Sequence, residues 1–159
     1  MAKSGESVFH IGDLGNLWGI YDNNTLYTTL KRYTQKGLLK RIYKGLYSYK
    51  NVSEIDAWLL ASKIIHNYSY ISTETVLASH GVISQKVYQV TAVTSQSKMV
   101  EIGQNNFRFR KLKEECLFNT LGIQKRGDGV LYASLSRAVA DILYYNPKYH
   151  FDVPQLINW

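Results

Sequence analysis

The first fifty residues alternate between apolar stripes and polar faces in a way that predicts two helices and a hairpin. Val8-Phe9 opens an apolar segment, and Asp13 to Trp18 carries Leu14, Leu17 and Trp18 at helical spacing. Gly19 stops that helix, Ile20 supplies a buried contact in the turn, and Asp22 or Asn23 can cap the next helix. There, at about 100° per residue, Leu26, Leu30 and Tyr33 fall within about 60° of one another. Asn24, Thr28, Lys31 and Gln35 fall within about 60° on the opposite side, so the apolar stripe packs inward and the polar one faces out. Gly37 ends the helix as a left-handed residue. Leu38–Tyr43 and Leu46–Tyr49 then read as two short strands around a Lys44-Gly45 turn.

The pattern after Lys50 is mixed. Ser53 with Asp56 three residues on resembles a capping box and predicts a helix from Glu54 to Asn67, with Ile55, Trp58, Leu59, Ser62 and Ile65 as its core face. A strand Tyr68–Ile71 follows, then a helix capped by Ser72 or Thr73, running to Ser79 and stopped by Gly81. Period-two alternation marks VYQVTAVTS, KMVEIGQ and FRFRKLK as strands, with Gly103 to Asn106 as a turn. Leu117–Ile123 and Gly129–Ala133 add one or two more strands. Ser136–Tyr145 reads as a helix with Ala138, Ile142 and Tyr145 inward and Arg137 and Asp141 as an i, i+4 pair. The expected class is α+β, with a helix-turn-helix and hairpin domain over residues 1–50 and a small mixed domain over 51–159.

Composition narrows this picture only slightly. The 159 residues are 45% hydrophobic and 19% charged, an ordinary globular balance. No apolar run approaches the roughly 18 residues of a membrane span, and MAKSGESVFH lacks the apolar centre of a signal peptide. The expectation is a cytoplasmic chain. Its one cysteine, Cys116, excludes an internal disulfide.

Charge changes the picture more. Of the net +7, residues 1–50 hold +5. Lys31 to Lys50 contains seven basic residues, and no acid occurs from Asn23 to Lys50. Basic charge concentrated in a third of the chain points to a local polyanion site, although a solvated cationic face would look the same. The outward residues of the second helix are of the types that read DNA. Asn and Gln pair bidentately with adenine, Lys and Arg with guanine, and the Thr methyl packs on that of thymine. An ordinary surface helix shares the periodicity, but its exposed face is normally Glu and Lys. The absence of acid favours readout. The candidate DNA contacts are Asn23, Asn24, Thr25, Thr28, Lys31, Arg32 and Gln35 on the helix, with Tyr27 beside them. Lys40, Arg41 and Lys44 on the hairpin would hold phosphate without specifying sequence. Together these elements form the layout of a winged helix-turn-helix, with double-stranded DNA as partner.

The strings VF-x-x-x-DL and KGLLKRIYKGLYSY resemble the N-terminal domain of AbiEi-type antitoxins, winged-helix regulators paired with nucleotidyltransferase-like toxins in phage-defence systems. YISTETVLASHGV, VYQVTAVTS and ASLSRAVADILYYNPKYHFD are similar to the same family's later segments, so the resemblance spans nearly the whole chain. Arg137, Ala138 and Asp141 stand at matching positions, whereas Ser136 stands where the family usually has Glu. Longer relatives continue past Asn158-Trp159, so the resemblance implies either a shortened member of the family or a trimmed chain. The resemblance implies an autorepressor that binds promoter inverted repeats and counters its toxin without a stable complex.

No reacting constellation is legible. His10, His66, His80 and His150 lack metal-ligand spacing, and there is no phosphate-binding glycine loop, no G-x-S-x-G elbow and no acid-x-Lys pair. No enzyme, metal or cofactor is expected. Arg137 with Asp141 is the nearest approach to a site and reads first as a structural salt bridge. Phe107–Lys113, read as an edge strand, offers Arg108, Arg110, Lys111 and Lys113 either as a second nucleic-acid contact, including RNA, or as charges that discourage edge pairing. A free-standing regulator that senses a ligand through the C-terminal region is the further alternative.

Overall fold

The computed structural model describes residues 6–159; the first half of the MAKSGESVFH stretch lies outside the described residues. The chain is α+β and divides into two compact units, residues 1–56 and 57–159. Among the described residues no helix is long and apolar enough to cross a membrane.

The first unit runs β1 (Val8–His10), α1 (Ile11–Trp18), α2 (Asn23–Gln35), β2 (Lys40–Tyr43) and β3 (Leu46–Ser48). Its three strands form an antiparallel sheet in the order β1-β3-β2, with Phe9 opposite Tyr47 and Arg41 opposite Tyr47 on the other side. Phe9, Leu14, Leu26, Leu30, Leu39 and Tyr47 make its core, and the half-buried Trp18 stacks on Tyr33 at 5.2 Å. Leu17 is not part of that core; it is 55% exposed. The inward stripe of α1 is Ile11, Leu14, Gly15 and Trp18, and Leu17 lies about 110° from its centre at the helical turn angle. Gly15 lies close against α2: a Cβ there would meet Leu26 Cδ2 and the Ile20 carbonyl at 3.1 Å.

Local chemistry sets the ends of α2. The Asp22 carboxylate accepts the Thr25 N–H at 2.7 Å, which caps the helix; the Thr25 hydroxyl, and then that N–H, hold the Asp22 carboxyl below its ordinary range. Gly37 takes φ +70°, and the N–H groups of Leu38 and Leu39 both turn back to the Tyr33 carbonyl. With those donors spent on closing the helix, β2 starts at Lys40, two residues later than the alternation predicts.

Corrections cluster where the first unit ends and the second begins. The capping box lies at Asn51 and Glu54, not Ser53 and Asp56: the Asn51 N–H donates to Glu54 Oε2 at 2.7 Å and closes one 3-10 turn, Val52–Glu54. Ile55 is then extended, so α3 covers only Ala57–Ile64. Its buried face rotates to Leu60, Ala61 and Ile64, while Ile55 and Ile65 are buried outside the helix.

After α3 come β4 (Ser69–Ile71), α4 (Glu74–Ser79), β5 (Gln89–Thr94), β6 (Lys98–Ile102), β7 (Asn105–Lys111), α5 (Glu114–Leu117), β8 (Ile123–Lys125), β9 (Leu131–Ala133) and α6 (Leu135–Tyr145). The strands form one six-stranded mixed sheet in the order β6-β7-β5-β4-β9-β8, with parallel pairs at β5/β7 and β4/β9. Tyr70, Ile71, Phe107 and Phe109 on its strands, and Leu77, Leu112, Leu117 and Ile142 outside them, are fully buried. The β6–β7 turn is tighter than expected: Gly103 at φ +62° lets Asn105 pair with Ile102. Leu117 ends a short helix rather than starting a strand. Lys113 is extended and Glu114-Glu115 sit in the first turn, where acids favour a helix N-terminus.

Candidate nucleic-acid interface

Ten side chains singled out in the first unit share one property: Asn23, Asn24, Thr25, Thr28, Lys31, Arg32, Gln35, Lys40, Arg41 and Lys44 are all exposed. Burial of Leu26 and Leu30 fixes the roll of α2, which sends the polar stripe outward. Among the described residues, Lys31, Arg32, Lys40, Arg41 and Lys44 have no carboxylate partner. Two of these cations are nonetheless held. The Arg32 guanidinium lies 5.9 Å from the Tyr33 ring, extending the Trp18–Tyr33 stack, and Lys40 Nζ donates to Asn51 Oδ1.

Between α2 and the β2–β3 hairpin lies a cleft of about 550 Å³. Tyr27, Lys31 and Thr34 form its helix side, and Lys40, Arg41 and Tyr47 its hairpin side. Thr34 contributes no free donor there, since its hydroxyl is spent on the Leu30 and Lys31 carbonyls at 3.0 and 2.8 Å. Neither the cleft nor the Asn51 tether of Lys40 is signalled by local periodicity. The cleft depends on how the hairpin folds back on the helix, and the tether on the β2–β3 pairing that sets Lys40 opposite Ser48.

The second set, Arg108, Arg110, Lys111 and Lys113, does not behave as an edge strand. β7 is an inner strand, paired with β6 on one side and β5 on the other. Phe107 and Phe109 point into the core at 1% and 2% exposure, so neither ring is available for base stacking. Arg110 is committed: it pairs with Glu74 at 3.1 Å and lies 4.4 Å from the Tyr145 ring. Arg108, Lys111 and Lys113 are exposed.

Arg137 and Asp141 form the densest polar node. All five guanidinium N–H donors are used. Nε donates to Asp141 Oδ1 at 3.0 Å, Nη1 to the Asn119 and Leu121 carbonyls at 2.7 and 3.1 Å, and Nη2 to the Tyr70 hydroxyl and Cys116 carbonyl at 2.7 and 2.8 Å. The other Asp141 oxygen accepts from Ser72 Oγ at 2.7 Å. Burial, and then the neighbouring Asp141 charge, push the Tyr70 phenol well above its ordinary range. A guanidinium with no free donor cannot take up an anion. This node joins α6 to β4 and to the segment after α5, and Tyr70 and Ser72 are partners no sequence spacing would reveal.

No protein-family model matches the chain, and no curated protein matches it.

Proposed function

We propose that this protein is a DNA-binding transcriptional repressor whose first unit is a winged helix-turn-helix. In this reading α1 and α2 are the helix-turn-helix, α2 is the recognition helix, and the β2–β3 hairpin is the wing. The observation that carries it is the exposed face shared by α2 and the hairpin, where a row of Asn, Thr and Gln side chains lies beside cations that, among the described residues, no carboxylate pairs. Polar side chains on a helix reach base edges, and cations beside it neutralise phosphates; the two together are what duplex readout requires.

The resemblance to AbiEi-type antitoxins extends the proposal. The protein would repress its own promoter at inverted repeats and act as antitoxin to a nucleotidyltransferase-like toxin in the cytoplasm, with no enzymatic activity of its own and no stable toxin complex. A neighbouring reading frame encoding a nucleotidyltransferase distinguishes this role from that of a free-standing regulator.

Competition binding tests the DNA assignment. Promoter duplex should displace a labelled duplex at far lower concentration than single-stranded RNA of equal length. Replacing Arg41 and Lys44 together by Ala should weaken binding to every duplex. Stronger competition by the RNA rejects the DNA assignment in favour of RNA binding, and undiminished duplex binding by the double variant rejects the wing assignment.

A further inference from the structure

The roll of α2 separates Lys31 from the residues it accompanies in the sequence pattern. Taking the outward pole as the direction opposite Leu26, Leu30 and Tyr33, Asn24, Thr28 and Gln35 lie within about 30° of it at the helical turn angle. Lys31 lies about 45° away, on the side of Tyr27 and Thr34, and it lines the cleft that faces the hairpin. Lys40 and Arg41 enter the same cleft from β2. No carboxylate lines it, and Leu30, Leu39 and Tyr47 are buried beneath it.

Three like charges on one concavity repel one another, and an anion seated among them relieves that repulsion. The donors are also of the right kind. Lys31 and Arg41 have no acidic partner among the described residues, and Lys40 is positioned by Asn51 while keeping further ammonium protons free. Resting on the DNA-binding reading, we infer that this cleft seats a backbone phosphate of the duplex, held by Lys31, Lys40 and Arg41. Lys31 is then a phosphate contact, and sequence is read by Asn24, Thr28 and Gln35.

Fluorescence-anisotropy titration of the full chain on promoter duplex and on a scrambled duplex, from 50 to 200 mM salt, separates these roles. Lys31→Ala should weaken binding to both duplexes by the same factor and reduce the salt slope by about 0.9, so its deficit shrinks about 3.5-fold across that range. Lys31→Arg should restore the slope. Gln35→Ala should instead lower the promoter-to-scrambled ratio by about five- to hundredfold with an unchanged slope. Loss of sequence preference in Lys31→Ala without a change in slope would make Lys31 a base reader and overturn the inference, and so would wild-type binding by that variant. Failure of the wild type to bind either duplex would instead overturn the DNA-binding reading itself.

Discussion

Removing the Arg137 side chain should strongly destabilise the second unit. The Asp141 carboxylate is only 5% exposed and is matched by the Arg137 guanidinium at 3.0 Å. Breaking such a pair from one side leaves a buried charge uncompensated and costs about 3–5 kcal/mol. Three backbone carbonyls and the Tyr70 hydroxyl lose a donor at the same time, although water can replace part of that loss. Against a typical domain stability of about 5–15 kcal/mol, this is a large fraction. Urea unfolding of Arg137→Met, followed by tryptophan fluorescence and far-UV circular dichroism, should show a midpoint shift of that size at constant m-value. The double variant Arg137→Met, Asp141→Leu should be less damaged than Arg137→Met alone, because the stranded charge is gone. A single-variant loss below about 1 kcal/mol, or a double variant whose losses simply add, refutes the buried-charge account.

Two further expectations follow from the packing and the buried phenols. Burial raises both Tyr70 and Tyr145 above the ordinary tyrosine value near 10, so each favours the folded state fully below that value and loses its contribution as pH rises beyond it. Stability should therefore fall steeply above about pH 10, and Tyr145→Phe should flatten the fall; an unchanged profile contradicts it. Gly15→Val should destabilise the first unit by about 1–3 kcal/mol, read by thermal melting, since even a bare Cβ meets Leu26 and the Ile20 carbonyl at 3.1 Å; a neutral result means that α1 and α2 can separate freely.

What was legible in the sequence tracks how local its cause is. The apolar stripe of α2, its Asp22 cap and its Gly37 stop each act within one helical turn, and those ends lie where the residues place them. The α3 boundary differs from the spacing because two overlapping Asx/Ser–acid pairs compete there. Asn51–Glu54 prevails, its turn closed by a side chain that reaches back to the Asn51 N–H. Phe107–Lys113 alternates correctly as a strand, but alternation says nothing about neighbours. Only the parallel pairing with β5 makes it an inner strand and ties Arg110 to Glu74, 36 residues away in sequence. The same holds for Arg137. Its i, i+4 partner Asp141 is visible from spacing, whereas Tyr70 and Ser72 are brought in by β4 and the turn that follows it. The outward face of α2 was readable, while the separation of Lys31 from Gln35 required the cleft.

The most direct test of the central claim is a hydroxyl-radical footprint on the DNA upstream of the protein's own reading frame, with the wild type and with Arg41→Ala, Lys44→Ala. The account expects two protected half-sites about one helical turn or a multiple apart, arranged as an inverted repeat, with protection by the double variant lost at the same concentration. Uniform protection without half-sites, or an unaltered footprint in the double variant, would contradict it.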